Sequence, residues 1–425
     1  MKKVLFLVLA VVLLMALTVT SLGAPRKVTL RLAWWGNPTR DERTLKTVEM
    51  YTKLNPHIVI ETETTGWAGY WDKLASQAAA NNLPDIIQHD YAYITQYAER
   101  NLLLDLTPYV KAKTLDLTGV AETFTSGGMV KNKLVGVSLG TNAFCLAYDP
   151  AVLKKAGLNP PAPDWTWADF EKMAATIYNK TGVLTPVFCS TDPKVAFDNM
   201  IRQTGASFFD PSGTKLGFTD TALLKEFYQI QLRLLKAGMM TKPEVGFLTV
   251  TPQESEFTKG NEWITFVWSN QFVMTQEAAN RPLEMALMPT IEGAKQPGTF
   301  LKPSMFFSVA RSSKQAKEAV KFINFFINDV ETNKVLLAER GIPIVPQVRN
   351  ALKEMVTPVN RQIFEFIDLA GEHSSPIDPA DPPGAGEVLN LFRTIDQEVL
   401  YGAVSPENAA ARFMKEANTV LGRNR

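Results

Sequence analysis

The sequence predicts an α/β fold divided between two lobes, and two observations carry that prediction. Strand-like and helix-like stretches alternate from Val28 to His89 in β–α–β–α–β order, which builds a sheet of parallel strands flanked by helices. Once an N-terminal export segment is set aside, about 400 residues remain, more than one ordinary core holds.

The export segment is read first. Lys2 and Lys3 precede an unbroken apolar stretch from Val4 to Leu17, and Ser21-Leu22-Gly23 supplies the small residues a signal peptidase needs. Cleavage is expected after Gly23, because a cut one residue later would leave Pro25 at the first mature position. The apolar stretch is short of the roughly 20 residues that span a bilayer. With no cysteine near the cut, no lipid anchor is evident, and a periplasmic location is expected.

Val28 to Trp34 alternates as a strand. Asn37-Pro38 reads as an N-cap with proline at the first helical position, and the helix ends before Asn55-Pro56, since a residue preceding proline avoids the helical region. A second strand is expected over His57–Glu63, and a second helix places Trp67, Trp71, Leu74 and Ala78 on one side. Leu83-Pro84-Asp85 turns into a third strand, Ile86–His89. Leu134 to Tyr148 is a long, largely apolar strand-like run broken by Gly140. After the rigid Pro160–Pro163 linker, Thr166 with Asp169 forms a capping box that starts a helix. Further helices are expected near Thr221–Lys236, Lys314–Asn328, Glu387–Leu400 and Pro406–Leu421.

Composition narrows the function. A net charge of +1 gives no electrostatic case for nucleic acid or an anionic membrane as partner. His57, His89 and His373 are too few and too scattered for a metal site, and no cofactor is expected. No nucleophile elbow, P-loop or dinucleotide glycine pattern occurs, although paired carboxylates for glycoside hydrolysis are set in space rather than in spacing. Cys145 and Cys189 both sit in apolar runs and read as two separate core thiols rather than a disulfide.

The tryptophans are the strongest positive signal. All eight fall between positions 34 and 268, in four close groups. A flat apolar ring with one polar tip suits the C–H face of a sugar, with carboxylates and amides taking the hydroxyls. Trp34 continues the alternation of Leu30 and Leu32 into the sheet core, while Trp71 and Trp167 read as packing residues. Trp35 at a strand end, Trp67 after Gly66, and Trp268 beside Ser269 and Asn270 are the stacking candidates. Asp90 ends a strand beside Tyr91 and reads either as a hydroxyl acceptor or as a helix N-cap.

These segments resemble the extracytoplasmic solute-binding proteins of ATP-driven sugar importers, the group that includes maltose- and glycerol-phosphate-binding proteins. The match runs through "LRLAWWGN…MYTKLNPHIVIETE", "WDKLASQAAANNLPDIIQHDYAYITQYAERNLLLDLTPYV", "PPAPDWTWADF", "KPSMFFSVARSSKQAKEAVKFINFFIND", "ERGIPIVPQ" and "GAVSPENAAARFMKEANTVL", in that order. The resemblance implies two lobes, each a mixed, mostly parallel sheet flanked by helices and joined by crossing hinge strands. It places residues 24–141 and 304–343 in lobe I, and 142–303 and 344–425 in lobe II. It implies ligand contacts at Trp35 and Asn37, Asp90 and Tyr91, Asn142, Trp268, Ser304 and, in the loop before a late helix, Glu387, to which the residue reading adds Trp67 and Asn270. Relatives often carry an aromatic in that last loop, where this chain has Asp-Pro-Pro-Gly-Ala-Gly-Glu, so stacking from the second lobe is in doubt there. The implied function is capture of a sugar, an oligosaccharide, by a monomer that hands it to the permease subunits of an ABC transporter.

Two other readings stay open: a secreted polysaccharide-degrading enzyme, and a receptor for an acidic sugar or sugar phosphate. For the latter Arg40, Arg202 and Lys302 would face the cleft, whereas taken singly they read as solvated surface.

Overall fold

A computed structural model of the protein describes residues 27–188, 192–248 and 252–423. The export segment and Cys189 lie outside the described residues, and so do the expectations made for them.

The first lobe follows the alternation read from the sequence. Strand β1 (Val28–Trp35) leads into helix α1 (Pro38–Leu54), strand β2 (Ile58–Thr65), helix α2 (Trp67–Ala79), strand β3 (Ile86–His89) and helix α3 (Tyr91–Glu99). Asn37 caps α1, its Oδ1 accepting from Arg40 N at 3.0 Å. Strand β1 lies parallel to both β2 and β3 because each connection is a helical crossover. Leu30, Leu32 and Trp34 are fully buried, and the Trp34 indole N–H donates to Asp41 Oδ1 at 2.7 Å, so this ring meets its polar need inside the lobe.

Strand β4 (Val137–Tyr148) then leaves the first lobe. The second is built on helices α4 (Trp167–Thr181), α5 (Pro193–Gln203) and α6 (Ala222–Lys236), followed by strands β5 (Ile264–Trp268) and β6 (Glu284–Ala286). The Thr166–Asp169 capping box is present at the start of α4. Strand β7 (Leu301–Val309) returns, followed by helices α7 (Ala316–Asn328), α8 (Pro346–Lys353), α9 (Pro358–Glu372), α10 (Ala385–Leu400) and α11 (Pro406–Gly422). Among the described residues no helix is long and apolar enough to cross a membrane.

The main sheet runs in the order β2-β1-β3-β7-β4-β5, with β6 also on β4. Strand β4 pairs with β7 over Val137–Ala143 and with β5 and β6 over Phe144–Tyr148, so one strand serves both lobes. All the pairings of β4 and β7 are antiparallel, since the chain goes out along one and comes back along the other. Parallel pairing in the second lobe is confined, among the described residues, to single bridges such as Leu184–Glu262 and Thr185–Met240. The parallel character expected of both lobes is therefore concentrated in the first.

Gly140 marks the crossing. The β4–β7 register shifts on both sides of it, and an added Cβ would lie 2.1 Å from the Arg340 carbonyl oxygen. The close approach lets a third segment join the two strands, with Thr141 N donating to Ile342 O at 2.9 Å and Ile342 N to Thr141 O at 3.2 Å. Three pieces of chain thus lie side by side where β4 and β7 pass between the lobes.

Two separate clusters of buried side chains confirm the two-lobed arrangement. One gathers Trp34, Ile86, Phe306 and Phe322, together with Val348, Phe364 and Ile367 from α8 and α9. The other gathers Trp165, Phe170, Phe197, Trp263, Phe392 and Phe413. The indole N–H groups of Trp165 and Trp263 donate to Leu287 O and Thr185 Oγ1, each at 3.0 Å, which satisfies both rings in the core. Cys145 is a buried free thiol whose Sγ lies 3.3 Å from Val267 O, and burial pushes its pKa upward, which makes it an inert packing group.

Candidate ligand cleft

A cavity of about 1230 Å³ opens beside these three segments. Its wall takes Arg40 from α1, Asp90 and Tyr91 from the start of α3, Asn142 from β4, and Lys302 and Ser304 from β7. The other side is formed by Trp268 and Asn270 at the end of β5, the face of α5 that carries Lys194, Asp198 and Arg202, and the turn 377–383. Strand ends meeting helix starts make such a wall polar, because backbone groups and short capping side chains collect there.

Of the ten residues expected to contact ligand, the structure brings Asp90, Tyr91, Asn142, Trp268, Asn270 and Ser304 to this one cavity. Asp90 combines its two alternative readings: it caps α3, Oδ1 accepting from Ala92 N at 2.9 Å, and it lines the cavity. Asn142 stands opposite Lys302 in the β4–β7 ladder. The Tyr91 hydroxyl donates to the Asp378 carbonyl, and the Ser304 hydroxyl to the Arg340 carbonyl. Trp268 meets Phe144 edge-on at 5.4 Å and Phe300 at 6.1 Å, with the Lys302 ammonium 5.1 Å from its ring centre.

Trp35, Asn37, Trp67 and Glu387 do not line the cavity. Trp35 is 8% exposed, enclosed by Trp67 at 5.1 Å, Tyr70 at 5.3 Å and Trp71 at 5.6 Å. Trp71 in turn stacks on Tyr93 at 3.8 Å with 16° between the rings. Trp67 is the outer member of this aromatic group, 46% exposed and the first residue of α2. Asn37 spends its side chain as the α1 cap, and Glu387 pairs with Arg423 at 3.0 Å on the surface.

Arg40, Arg202 and Lys302 all line the cavity, which corrects their reading as solvated surface. Arg202 is 1% exposed. Its Nη1 pairs with Asp378 at 2.6 Å, Nε donates to Gly298 O at 3.0 Å and Nη2 to Ser375 Oγ at 2.7 Å and Pro376 O at 2.6 Å. Its guanidinium lies 4.9 Å from the centre of the Phe300 ring. Arg40 is held by Glu339 at 3.0 Å and also donates to Trp35 O at 3.2 Å. Every such bond is to a residue far away in sequence or to backbone, so no local pattern announces it.

The face of α5 carries what the sequence reading missed. Lys194 Nζ stands 3.5 Å from Asp381 and 3.7 Å from Asp198, with the Phe208 and Phe209 rings 5.2 and 5.5 Å away. Burial works against the Lys194 charge, but Asp198, Asp381 and Asp192 outweigh it and raise its pKa above the usual lysine value. Asp198 is 6% exposed and its Oδ1 has no hydrogen-bond partner; burial raises its pKa against the pull of Lys194. Burial raises that of Asp192 as well. The spacing of Lys194, Asp198 and Arg202 at intervals of four puts them on one face of a helix, a signal available in the sequence once Asp192-Pro193 is read as a helix start. Among the described residues no group of three or more His, Cys, Asp or Glu is placed to hold a metal.

Comparison with known proteins agrees with this architecture. The family described as bacterial extracellular solute-binding protein matches residues 46–360. An extracellular solute-binding protein family 1 structure from Alicyclobacillus acidocaldarius is 30% identical with a TM-score of 0.86, covering 94% of this chain and 100% of that one. An arabinooligosaccharide-binding protein of Bacillus subtilis is 25% identical over 232 residues; the match covers 52% of each, so this chain spans about half the length of that curated relative. A periplasmic oligogalacturonide binding protein from Yersinia enterocolitica, 24% identical with a TM-score of 0.78 over 93% of this chain and 99% of its own, shares the fold. With the family matched over most of its length and a two-lobed cleft in place, the chain belongs to the bacterial extracellular solute-binding proteins.

Proposed function

We propose that the protein captures an oligosaccharide in the interlobe cleft and delivers it to the membrane permease of an ABC importer. The observation that carries this reading is the wall of the cavity, where Trp268 offers an aromatic face beside the amide groups of Asn142 and Asn270 and the carboxylate of Asp90. A sugar needs both kinds of surface, one for its C–H face and one for its hydroxyls. A volume of about 1230 Å³ is more than a single pyranose ring fills. The arabinooligosaccharide specificity named for the Bacillus subtilis relative supports the same substrate class. Export by cleavage after Gly23, a periplasmic location and a monomeric state complete the proposal.

Ligand contacts to both lobes would favour a closed form, because a ligand shifts a two-state equilibrium only by its differential affinity for the states. Hinge closure is how periplasmic binding proteins as a group respond to ligand. The chain crossings at 140–142 and 302–304, with segment 340–342 bonded alongside them, supply the hinge in this reading.

The test is thermal unfolding of the mature protein against a panel of mono- and oligosaccharides, with product analysis by chromatography. A ligand at 100 times its Kd should stabilise the fold by about 2.7 kcal/mol. A stabilising oligosaccharide recovered intact supports the receptor. Recovery of shorter products would replace it with an enzyme, and a panel without any stabilising sugar would overturn the sugar assignment.

A further inference from the structure

We infer that the cleft selects a neutral, hydroxyl-rich saccharide and rejects uronates, with Asp192 as a hydroxyl acceptor that sets this preference. The inference rests on the sugar-binding reading and names its ligand class.

The starting point is the charge of the wall. Among the described residues, eight carboxylates and five cationic side chains line the cavity. The cations are already engaged. Arg40 and Arg340 share Glu339 at 3.0 and 3.5 Å, Arg202 holds Asp378 at 2.6 Å, and Lys194 bridges Asp198 and Asp381. Lys302 alone of the five has no ion pair among the described residues, and its ammonium stands over the Trp268 ring. Facing the cleft is therefore not the same as being free to bind an anion. Arg202, whose burial in the wall would otherwise invite an anionic ligand, commits four of its bonds to Asp378, Gly298, Ser375 and Pro376.

The carboxylates are not all neutralised in return. Asp192, the residue before α5, lines the cavity and has no ion pair among the described residues. One helical turn and a half further on, Asp198 lines it too, nearly buried and with Oδ1 unpartnered. Asp90 keeps one oxygen beyond its bond to Ala92 N. A carboxylate accepts but cannot donate, so these groups are matched by ligand hydroxyls, each of which brings a proton. A uronate would instead bring a second negative charge close to them, losing hydration with Lys302, held over the Trp268 ring, as the one unpaired cation of the five to face it. Burial raises the pKa values of Asp192 and Asp198 against the pull of Lys194, so a charge on either is already costly to hold here.

Titration calorimetry of the mature protein with arabinotriose, maltotriose and trigalacturonate, at about 50 and 500 mM NaCl, tests the inference. A neutral trisaccharide is expected to bind at least 100-fold more tightly than trigalacturonate, with the gap narrowing at high salt. Asp192→Asn, which has no ion pair to lose, is expected to weaken the neutral ligand about tenfold and to strengthen trigalacturonate; a thermal melt confirms that the variant folds. Trigalacturonate binding as well as or better than the neutral sugars would overturn the inference while leaving sugar binding intact. Wild-type selectivity in Asp192→Asn would overturn the role given to that residue. Failure of all three sugars to bind would overturn the sugar reading and this inference with it.

Discussion

Asp396 offers a measurable consequence of the second lobe's packing. It lies on α10, fully buried, with Oδ1 accepting from Gln231 Nε2 at 3.3 Å and Oδ2 without a partner. Gln231 is itself committed, its Oε1 accepting from Phe188 N at 3.0 Å. Burial pushes the carboxyl up to about 7, only partly offset by the Gln231 bond. In the unfolded chain the same group titrates near its ordinary value of about 3.9. Between these two values the folded protein holds a proton that the unfolded chain has released, so stability is full below about pH 4 and falls as pH rises to about 7. A displacement of about 3 units at ~1.4 kcal/mol each puts the loss at about 4 kcal/mol. Asp396→Asn keeps the shape and an acceptor for Gln231 but cannot ionise. Urea unfolding of both proteins from about pH 4 to about pH 8 should show the variant gaining on the wild type across this window, by up to about 4 kcal/mol at the alkaline end. Glu262, also raised to about 7 by burial, contributes a slope of the same sign to both proteins and cancels in the comparison. Two stability curves that stay parallel over the whole range would refute the argument.

Three further outcomes are expected. Gly140→Ala would set a methyl group 2.1 Å from the Arg340 carbonyl oxygen, so the crossing must shift; stability should fall by about 1–3 kcal/mol in urea melts, with ligand affinity falling alongside. Arg202→Met strands Asp378 and three acceptors at the cavity wall and should cost about 3 kcal/mol or more, read by the same method. Trp268→Ala should weaken the preferred oligosaccharide about tenfold or more, as loss of a stacking anchor does, whereas Trp67→Ala, outside the cavity, should leave the affinity for the same ligand nearly unchanged in calorimetry.

The proposed preference shows how a nearly neutral protein would discriminate by charge. Net charge sums the whole surface, while selectivity depends on which side chains are left unpaired where the ligand sits. At Lys194 and Arg202 the cations are spent on holding the 377–383 turn against α5. That turn is fastened across the cleft as well, through the Tyr91 hydroxyl on the Asp378 carbonyl. Its Asp-Pro-Ala-Asp-Pro-Pro sequence thus supplies the anchors that fix its position, in a loop where an aromatic stacking residue had been looked for.

What the sequence determined by itself was local. Periodicity and capping placed β1, α1 and β3 within a residue of their observed limits, because alternation, an Asn-Pro helix start and a Pro-Asp turn act through neighbours along the chain. The core role of Trp34 and the packing role of Trp71 were legible for the same reason. Tertiary structure alone decided which exposed-looking residues share the cleft. Arg202 reads as surface until Ser375, Pro376 and Asp378 close around it, and Trp35 reads as a stacking candidate until Trp67, Tyr70 and Trp71 enclose it. The partners that settle a buried charge or a strand-end aromatic come from other elements, and only the folded arrangement of those elements brings them together.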